Sequence, residues 1–193
     1  MPLFSSRPQS NTTPNLTFIG PDAHGTIYIE DARGIRTPFF AVTVAKHSKP
    51  SLSVNRILPS GHQAPFFTSH TSSLSGASRI NLINRASEIK VEVSYEGMQL
   101  RRGFHAPMGK LGWFPSGNSG CNQKLKDKNA TVLAKLTANI GHSKEPRLEL
   151  LVPCDDYLVD LIVATGMAVY RDTVKEVEQV GKVSKVIGGV FGG

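Results

Sequence analysis

One stretch near the end of the chain is apolar on every side. Each residue from Leu161 to Val169 is apolar or small, so a helix formed here has no polar face. Such a helix must be buried all round, either in a protein core or in a bilayer. A bilayer span needs about 20 apolar residues. This run is far shorter, and Asp160 directly precedes it. We therefore predict a buried helix from Asp155 to Tyr170, capped by Asp155 or Asp156.

Most of the chain before this helix has the pattern of short strands. Between Ile89 and Tyr95, apolar residues alternate with charged or polar ones, which is typical of a strand with one solvent-exposed face. Other β-branched or aromatic segments, separated by Gly, Pro, Ser and Asn, predict further strands. These segments are 16–19, 26–30, 39–46, 52–58, 65–70, 79–84, 98–101, 109–114, 120–126, 131–138 and 147–152.

The connections between these strands predict their arrangement. Most are too short for a crossover helix, and short connections join antiparallel neighbours. A large sheet must hide its edges, and closure around the apolar helix does so. We therefore predict a mainly β fold, a closed antiparallel barrel of about twelve strands that encloses the C-terminal hydrophobic helix. Residues 1–15 are expected to form a flexible N-terminal arm, 16–171 the barrel with its central helix, and 172–193 a C-terminal extension or tail.

The pattern changes after Tyr170. Val174, Val177 and Val180 recur every three residues among charged ones, which indicates that the helix continues with one apolar stripe. Gly181 weakens this continuation, because glycine disfavours helix. The end of the chain is expected to be either a frayed terminus or a segment that contacts a membrane.

Charge adds a hypothesis about partners. The net charge is +7, and no Asp or Glu occurs between Ala32 and Ser87. A basic surface favours anionic partners such as lipid headgroups or nucleic acid, and a mildly basic domain without such a partner is the alternative. The two cysteines form no CxxC motif and the N-terminus has no apolar signal segment. These features favour a cytoplasmic protein, either free or peripheral at membranes.

The sequence gives no support for an enzyme. The segment Ser116–Gly120 resembles the nucleophile turn of chymotrypsin-like proteases, which need His, Asp and Ser in that order. No Asp lies between Asp31 and Ser119, and His24 is too close to Asp31 for the two to lie on separate strands. The six histidines are scattered, without an HExxH motif or a Cys/His pairing. We expect no catalytic residue, metal site or cofactor, and we expect neither Ser119 nor His105 to contribute to function.

The organisation of the chain resembles the tubby C-terminal-like superfamily, which includes the tubby proteins, the LURP-one-related proteins and the phospholipid scramblases. The likeness covers about 16–171 and is carried by the many-stranded domain and by the segment Leu148–Asp156, which leads from a strand into the apolar helix. It is similar to small uncharacterised fungal members of the superfamily. The resemblance implies a barrel of about twelve strands around the helix. It also implies phosphoinositide binding through a basic surface pocket, as in tubby domains. A scramblase is linked to calcium, and the sequence contains no acidic loop with calcium-binding spacing.

Four basic residues are the candidate site for such binding. Arg101 and Arg102 lie at the end of one predicted strand, and Lys124 and Lys126 alternate along another. If these strands meet on the barrel wall, the four form a cluster that can hold an anionic phospholipid headgroup. The alternatives are a solvated outer face, and a protein-interaction or regulatory scaffold without a small ligand. Nucleic acid is disfavoured, because it usually requires exposed aromatic residues among the basic ones.

Overall fold

Twelve antiparallel strands close into a barrel in the computed structural model of this chain. The structure describes residues 16–45, 51–72, 76–96, 99–117, 121–138, 140 and 145–190, so the predicted N-terminal arm and the last residues of the predicted tail lie outside the described residues. The strands are β1 (Thr17–Ile19), β2 (Thr26–Glu30), β3 (Arg36–Val44), β4 (Leu52–Ile57), β5 (Gln63–Thr71), β6 (Ser78–Leu82), β7 (Ser87–Glu96), β8 (Gln99–Ala106), β9 (Gly109–Ser116), β10 (Asn122–Lys126), β11 (Val132–Thr137) and β12 (Arg147–Leu150). Each strand pairs with its neighbours in the chain, and β1 closes the barrel on β12.

An α-helix, α1 (Asp156–Val190), follows β12 and fills the barrel, and a short 3-10 helix (Ile83–Arg85) lies between β6 and β7. Of the two caps predicted, Asp155 is the one observed, since its Oδ1 accepts the backbone N–H of Leu158 at 2.7 Å. The residues Leu161, Ile162, Val163 and Ala164 are at most 1% exposed. The predicted mainly β barrel around a buried C-terminal helix is therefore confirmed.

The helix is longer than the predicted Asp155–Tyr170. It continues without a break to Val190, as the stripe of valines indicates. Asp172 and Thr173 are still buried inside the barrel. The expected domain boundary at 171–172 therefore falls within this element. Within the described part of the chain, no helix is both long enough and apolar enough to cross a membrane.

Trp113 is the clearest contact between the barrel wall and the helix. Its ring is fully buried, and its Nε1 donates to Oγ1 of Thr165 at 3.1 Å. Gly166 makes this approach possible, because a Cβ on it would lie 3.3 Å from Cζ2 of Trp113 and 3.2 Å from Cδ2 of Leu148. The small residues of the predicted helix thus match the bulky side chains of the strands around it.

The up-and-down topology sorts the connections between two ends of the barrel. The turns after β2, β4, β6, β8 and β10 lie at the same end as the segment from β12 into α1, and we call this the entry end. The other turns lie at the opposite end, where the helix leaves the barrel, and we call this the exit end. Every residue of a turn can therefore be assigned to one end from the strand order alone.

A buried ion-pair network lies at the entry end. Asp160 is 3% exposed, and its carboxylate accepts from the guanidinium groups of Arg56 at 2.9 Å and Arg85 at 2.8 Å. Asn84 donates to the same carboxylate at 3.3 Å. The network connects α1 to β4 and to the turn after β6. Asp160, which directly precedes the apolar run, therefore fixes the position of the helix.

A second buried carboxylate lies at the exit end. The hydroxyl groups of Thr71 and Ser78 donate to Asp172 at 2.7 and 2.8 Å. Burial raises the pKa of Asp172 above its usual value of 3.8, although these hydrogen bonds and the nearby Arg102 act in the opposite direction. The protonated carboxyl is therefore favoured more strongly in the folded chain than in the unfolded one.

We expect Asp172→Asn to stabilise the protein at neutral pH. The folded state holds the Asp172 proton more tightly than the unfolded state. The free energy of unfolding therefore falls as the pH rises from 3.8 through the raised pKa of Asp172. Asparagine keeps an acceptor for one of the two hydroxyl groups, offers an N–H donor that the other hydroxyl oxygen can accept, and has no charge. The difference in free energy of unfolding between variant and wild type, measured by urea denaturation across pH, should grow through that window. A constant difference would show that folding does not raise the pKa of Asp172.

Candidate functional site

The outer wall of β7–β10 brings together three of the four predicted site residues. Arg101 lies on β8, and Lys124 and Lys126 lie on β10. Neighbouring residues of a strand face opposite sides, and the buried Gln123 and Leu125 place the two lysines on the outside. The lysines are both partly exposed, as is Arg101. β8 and β10 do not pair, because β9 lies between them, but these three residues share the outer wall of the barrel.

An aromatic ring lies between two of these cations. The Cζ of Arg101 is 4.8 Å from the ring centroid of Phe114, and Nζ of Lys126 is 5.2 Å from the same centroid. Lys124 is directly opposite Phe114 in the register of β9 and β10. A ring face attracts cations through its quadrupole, so Phe114 lets positive charges gather where they would otherwise repel one another.

Two glycines lie beside this ring. Gly103 and Gly112 face each other across β8 and β9, in one row with Glu92 on β7 and Lys126 on β10. A Cβ on Gly112 would lie 2.9 Å from Nε of Arg101. The guanidinium group therefore lies flat against the sheet at a point where any other residue would displace it. The missing side chain of Gly103 leaves an open trough along the wall, whereas Arg101 and Phe114 occupy the space over Gly112.

This trough has a volume of about 500 Å³, and we call it the basic groove. Its charged lining consists of four basic residues and two acidic ones, namely Lys90, Arg101, His105, Lys110, Glu88 and Glu92. Lys124 and Lys126 lie immediately beyond the Arg101–Phe114 edge. The volume is in the range of small-ligand sites, about 300–1,000 Å³.

The cations dominate the electrostatics of the basic groove. Glu92 accepts a hydrogen bond from Nζ of Lys90 at 2.7 Å. This bond and the charge of Lys90 are the largest causes of a lowered pKa of Glu92, and His105 and Lys110 lower it further. The carboxylate is thus already paired within the groove. The other charged groups of the groove are Arg101, Lys110 and Glu88, and Lys126 lies beside it.

Arg102 lies elsewhere, which corrects its grouping with the other three. Its side chain is 2% exposed and points into the barrel, where its Nη2 donates to Oε1 of Glu176 on α1 at 2.6 Å. The reason is the alternation of β8, which puts Arg102 on the same face as the buried Phe104. Arg102 therefore holds the helix at the exit end and is not available to a ligand on the outer wall.

Several residues of the basic groove were not singled out from the sequence. Lys90, Lys110 and the two glycines had no assigned role, and His105 was expected to have none. A signal was present, because Gly103 and Gly112 are equally distant from the turn after β8 and so must face each other in a hairpin. Ser119, the nucleophile of the protease-like turn, lies outside the described residues.

A second pocket lies at the entry end. It has a volume of about 290 Å³ and is lined by Arg56, Arg85, Asp156 and Asp160 together with apolar residues. Two arginines face two carboxylates here, and both arginines already pair with Asp160. This pocket therefore has less positive charge to offer a ligand than the basic groove. In the described ranges, no cluster of three His, Cys, Asp or Glu residues is placed to hold a metal ion.

Comparison of the chain with known protein families, characterised proteins and solved structures finds no match.

Proposed function

We propose that this protein is a non-enzymatic, tubby-like domain that binds anionic phospholipid headgroups, phosphoinositides among them, in the basic groove. The observation that carries the proposal is the arrangement of Arg101 and Lys126 on one Phe114 ring, beside the trough at Gly103. The protein would act at the cytoplasmic surface of a membrane and would need no cofactor.

The chemistry of the groove suits a phosphate ester. Arginine presents a planar fork of N–H donors that matches phosphate oxygens, and lysine adds point charges that can approach from several directions. A headgroup lying over Gly103 would have Arg101 on one side and His105 and Lys110 on the other. The open outer wall gives access to a headgroup that remains attached to its bilayer, which a closed cavity would not.

Membership of the tubby C-terminal-like superfamily is part of the proposal. It is supported by the closed barrel of twelve strands, by the helix that enters from β12, and by the burial of that helix along the barrel. The basic groove would correspond to the surface pocket that the resemblance implies.

Vesicle binding by the wild-type protein tests the function directly. Co-sedimentation should show little binding to phosphatidylcholine alone, and clear binding when phosphatidylserine or a phosphoinositide is added. Raising the salt concentration should weaken this binding, because exposed charges are screened beyond about 8 Å at physiological ionic strength. Soluble inositol phosphates should compete if the headgroup itself is recognised. Equal binding to neutral and anionic vesicles, or none at low salt, would disprove the proposal and favour the scaffold hypothesis.

A further inference from the structure

The exposed large hydrophobic residues of the barrel are gathered at one end. Seven such residues are found in the described part of the chain, and five of them lie at turns of the entry end. These five are between 39% and 53% exposed: Ile35, Leu58, Ile83, Met108 and Leu151. The other two are Val44, at the exit end of β3, and Val177, on the helix beyond the barrel. Apolar residues that stand singly on a surface do not by themselves mark a binding surface, so the neighbours of each tip decide what it can contact.

Two of these tips adjoin the basic groove. Ile83 lies in the turn that leads into β7, and Met108 lies in the turn between β8 and β9. They are 48% and 44% exposed. The strands that line the groove thus end at these two apolar tips. His105 and Lys110 lie opposite each other in the register of β8 and β9, close to the turn that contains Met108. Cations directly behind apolar tips are complementary to an anionic bilayer, in which phosphates overlie hydrocarbon.

We propose that Ile83 and Met108 insert into the bilayer while Lys110 and His105, at the entry end of the basic groove, contact its phosphates, an inference that rests on the proposed function. The strand rise of about 3.3 Å per residue puts Lys110 about 7 Å from Met108 along the barrel wall. The headgroup layer on one side of a bilayer is about 5–8 Å thick. With Met108 at the edge of the hydrocarbon, Lys110 and His105 lie at the level of the phosphates.

The distribution of acidic residues defines the tilt of the bound barrel. Asp155 and Asp156, both exposed, lie beside Leu151 on the other side of the entry end. An anionic leaflet would repel them. The barrel is therefore tilted so that the β6–β9 side approaches the membrane, with Leu151 and the start of α1 held away from it.

Single labels on the two ends of the barrel test this orientation. The Cys121→Ser protein, in which Cys154 is buried and its pKa raised by that burial, provides the background. An environment-sensitive fluorophore is attached at Met108→Cys, Ile83→Cys or Val44→Cys. Val44 is the matched control, because it is equally apolar and 44% exposed but lies at the exit end. The vesicles contain phosphatidylcholine with or without phosphatidylserine, and brominated lipids are used to quench labels that reach the hydrocarbon.

Insertion predicts a blue shift and quenching at positions 108 and 83 on anionic vesicles, and neither at position 44. Met108→Gln with Ile83→Gln should weaken binding about tenfold for each residue, since each loses the transfer of a large apolar side chain. This loss should persist at high salt, unlike the effect of removing charge.

Three results would overturn the insertion. If the protein sediments with anionic vesicles but the label at 108 stays in water, the groove binds headgroups and the tips do not insert. If the protein does not bind vesicles of any composition, both the headgroup binding and the insertion are wrong. If the wild type is a dimer without lipid and the two glutamine substitutions make it a monomer, a second copy of the chain covers these tips.

Discussion

Ile162→Asp is expected to leave the chain without a folded barrel. Ile162 is fully buried near the start of α1, in the part of the helix that packs in the barrel core. An unpaired carboxylate in such a place costs several kcal/mol, against a total stability of about 5–15 kcal/mol for a domain. The variant should lose its near-ultraviolet circular dichroism and its cooperative thermal transition.

A valine further along the same helix provides the control. Val177 is 39% exposed and lies beyond the barrel, so Val177→Asp makes a similar chemical change in water. We expect it to alter the free energy of unfolding by about 0.5 kcal/mol or less, as for other surface substitutions. If Ile162→Asp unfolded at the wild-type midpoint with an unchanged spectrum, the helix would not occupy the barrel in solution.

Removing the three outer charges together is expected to weaken binding to anionic vesicles about a hundredfold. Each Lys or Arg near an anionic surface contributes about 1 kcal/mol, so Arg101→Gln, Lys124→Gln and Lys126→Gln together remove about 3 kcal/mol. Every 1.4 kcal/mol is about a factor of ten in affinity. Stability should barely change, because exposed charges contribute little to it. Binding is measured by co-sedimentation against a lipid series at low salt.

Two further variants separate local charge from total charge. Arg33→Gln, Arg36→Gln and Lys175→Gln remove the same charge from other surfaces, and this triple variant should bind about as well as the wild type. Arg102→Gln should keep its vesicle binding but unfold more easily, because it leaves the Glu176 contact at the exit end unmade. Equal loss in both triple variants would mean that net charge alone attracts the protein to vesicles, without a site.

Local periodicity was enough to predict most of the fold. The alternation from Ile89 to Tyr95 has the period of a strand and matches β7, and the apolar run after Asp160 predicts a helix buried on all sides. Both patterns follow from backbone geometry within a few residues. The end of the helix was harder to predict, because the residues from Val174 to Glu178 are partly or fully exposed and packing against the barrel no longer determines their pattern.

The candidate site depended on register, which the sequence shows only indirectly. Arg101 and Arg102 are adjacent and so cannot share a face of a strand, and the buried Phe104 indicates that Arg102 faces inward. The contact of Arg102 with Glu176 joins residues 74 positions apart, and no local pattern reports such a pair. The contact of Arg101 and Lys126 with one ring likewise appears only once β8, β9 and β10 are aligned.

The closure of β1 on β12 has a consequence for how the protein is made. A ribosome delivers β1 early and β12 late, and it delivers α1 only after every strand has emerged. Until then the nascent sheet has two open edges and an unfilled interior, a combination that invites aggregation. The barrel therefore cannot close until both β12 and α1 have been made. Its yield in a cell should depend on chaperones that hold the strands until the helix arrives.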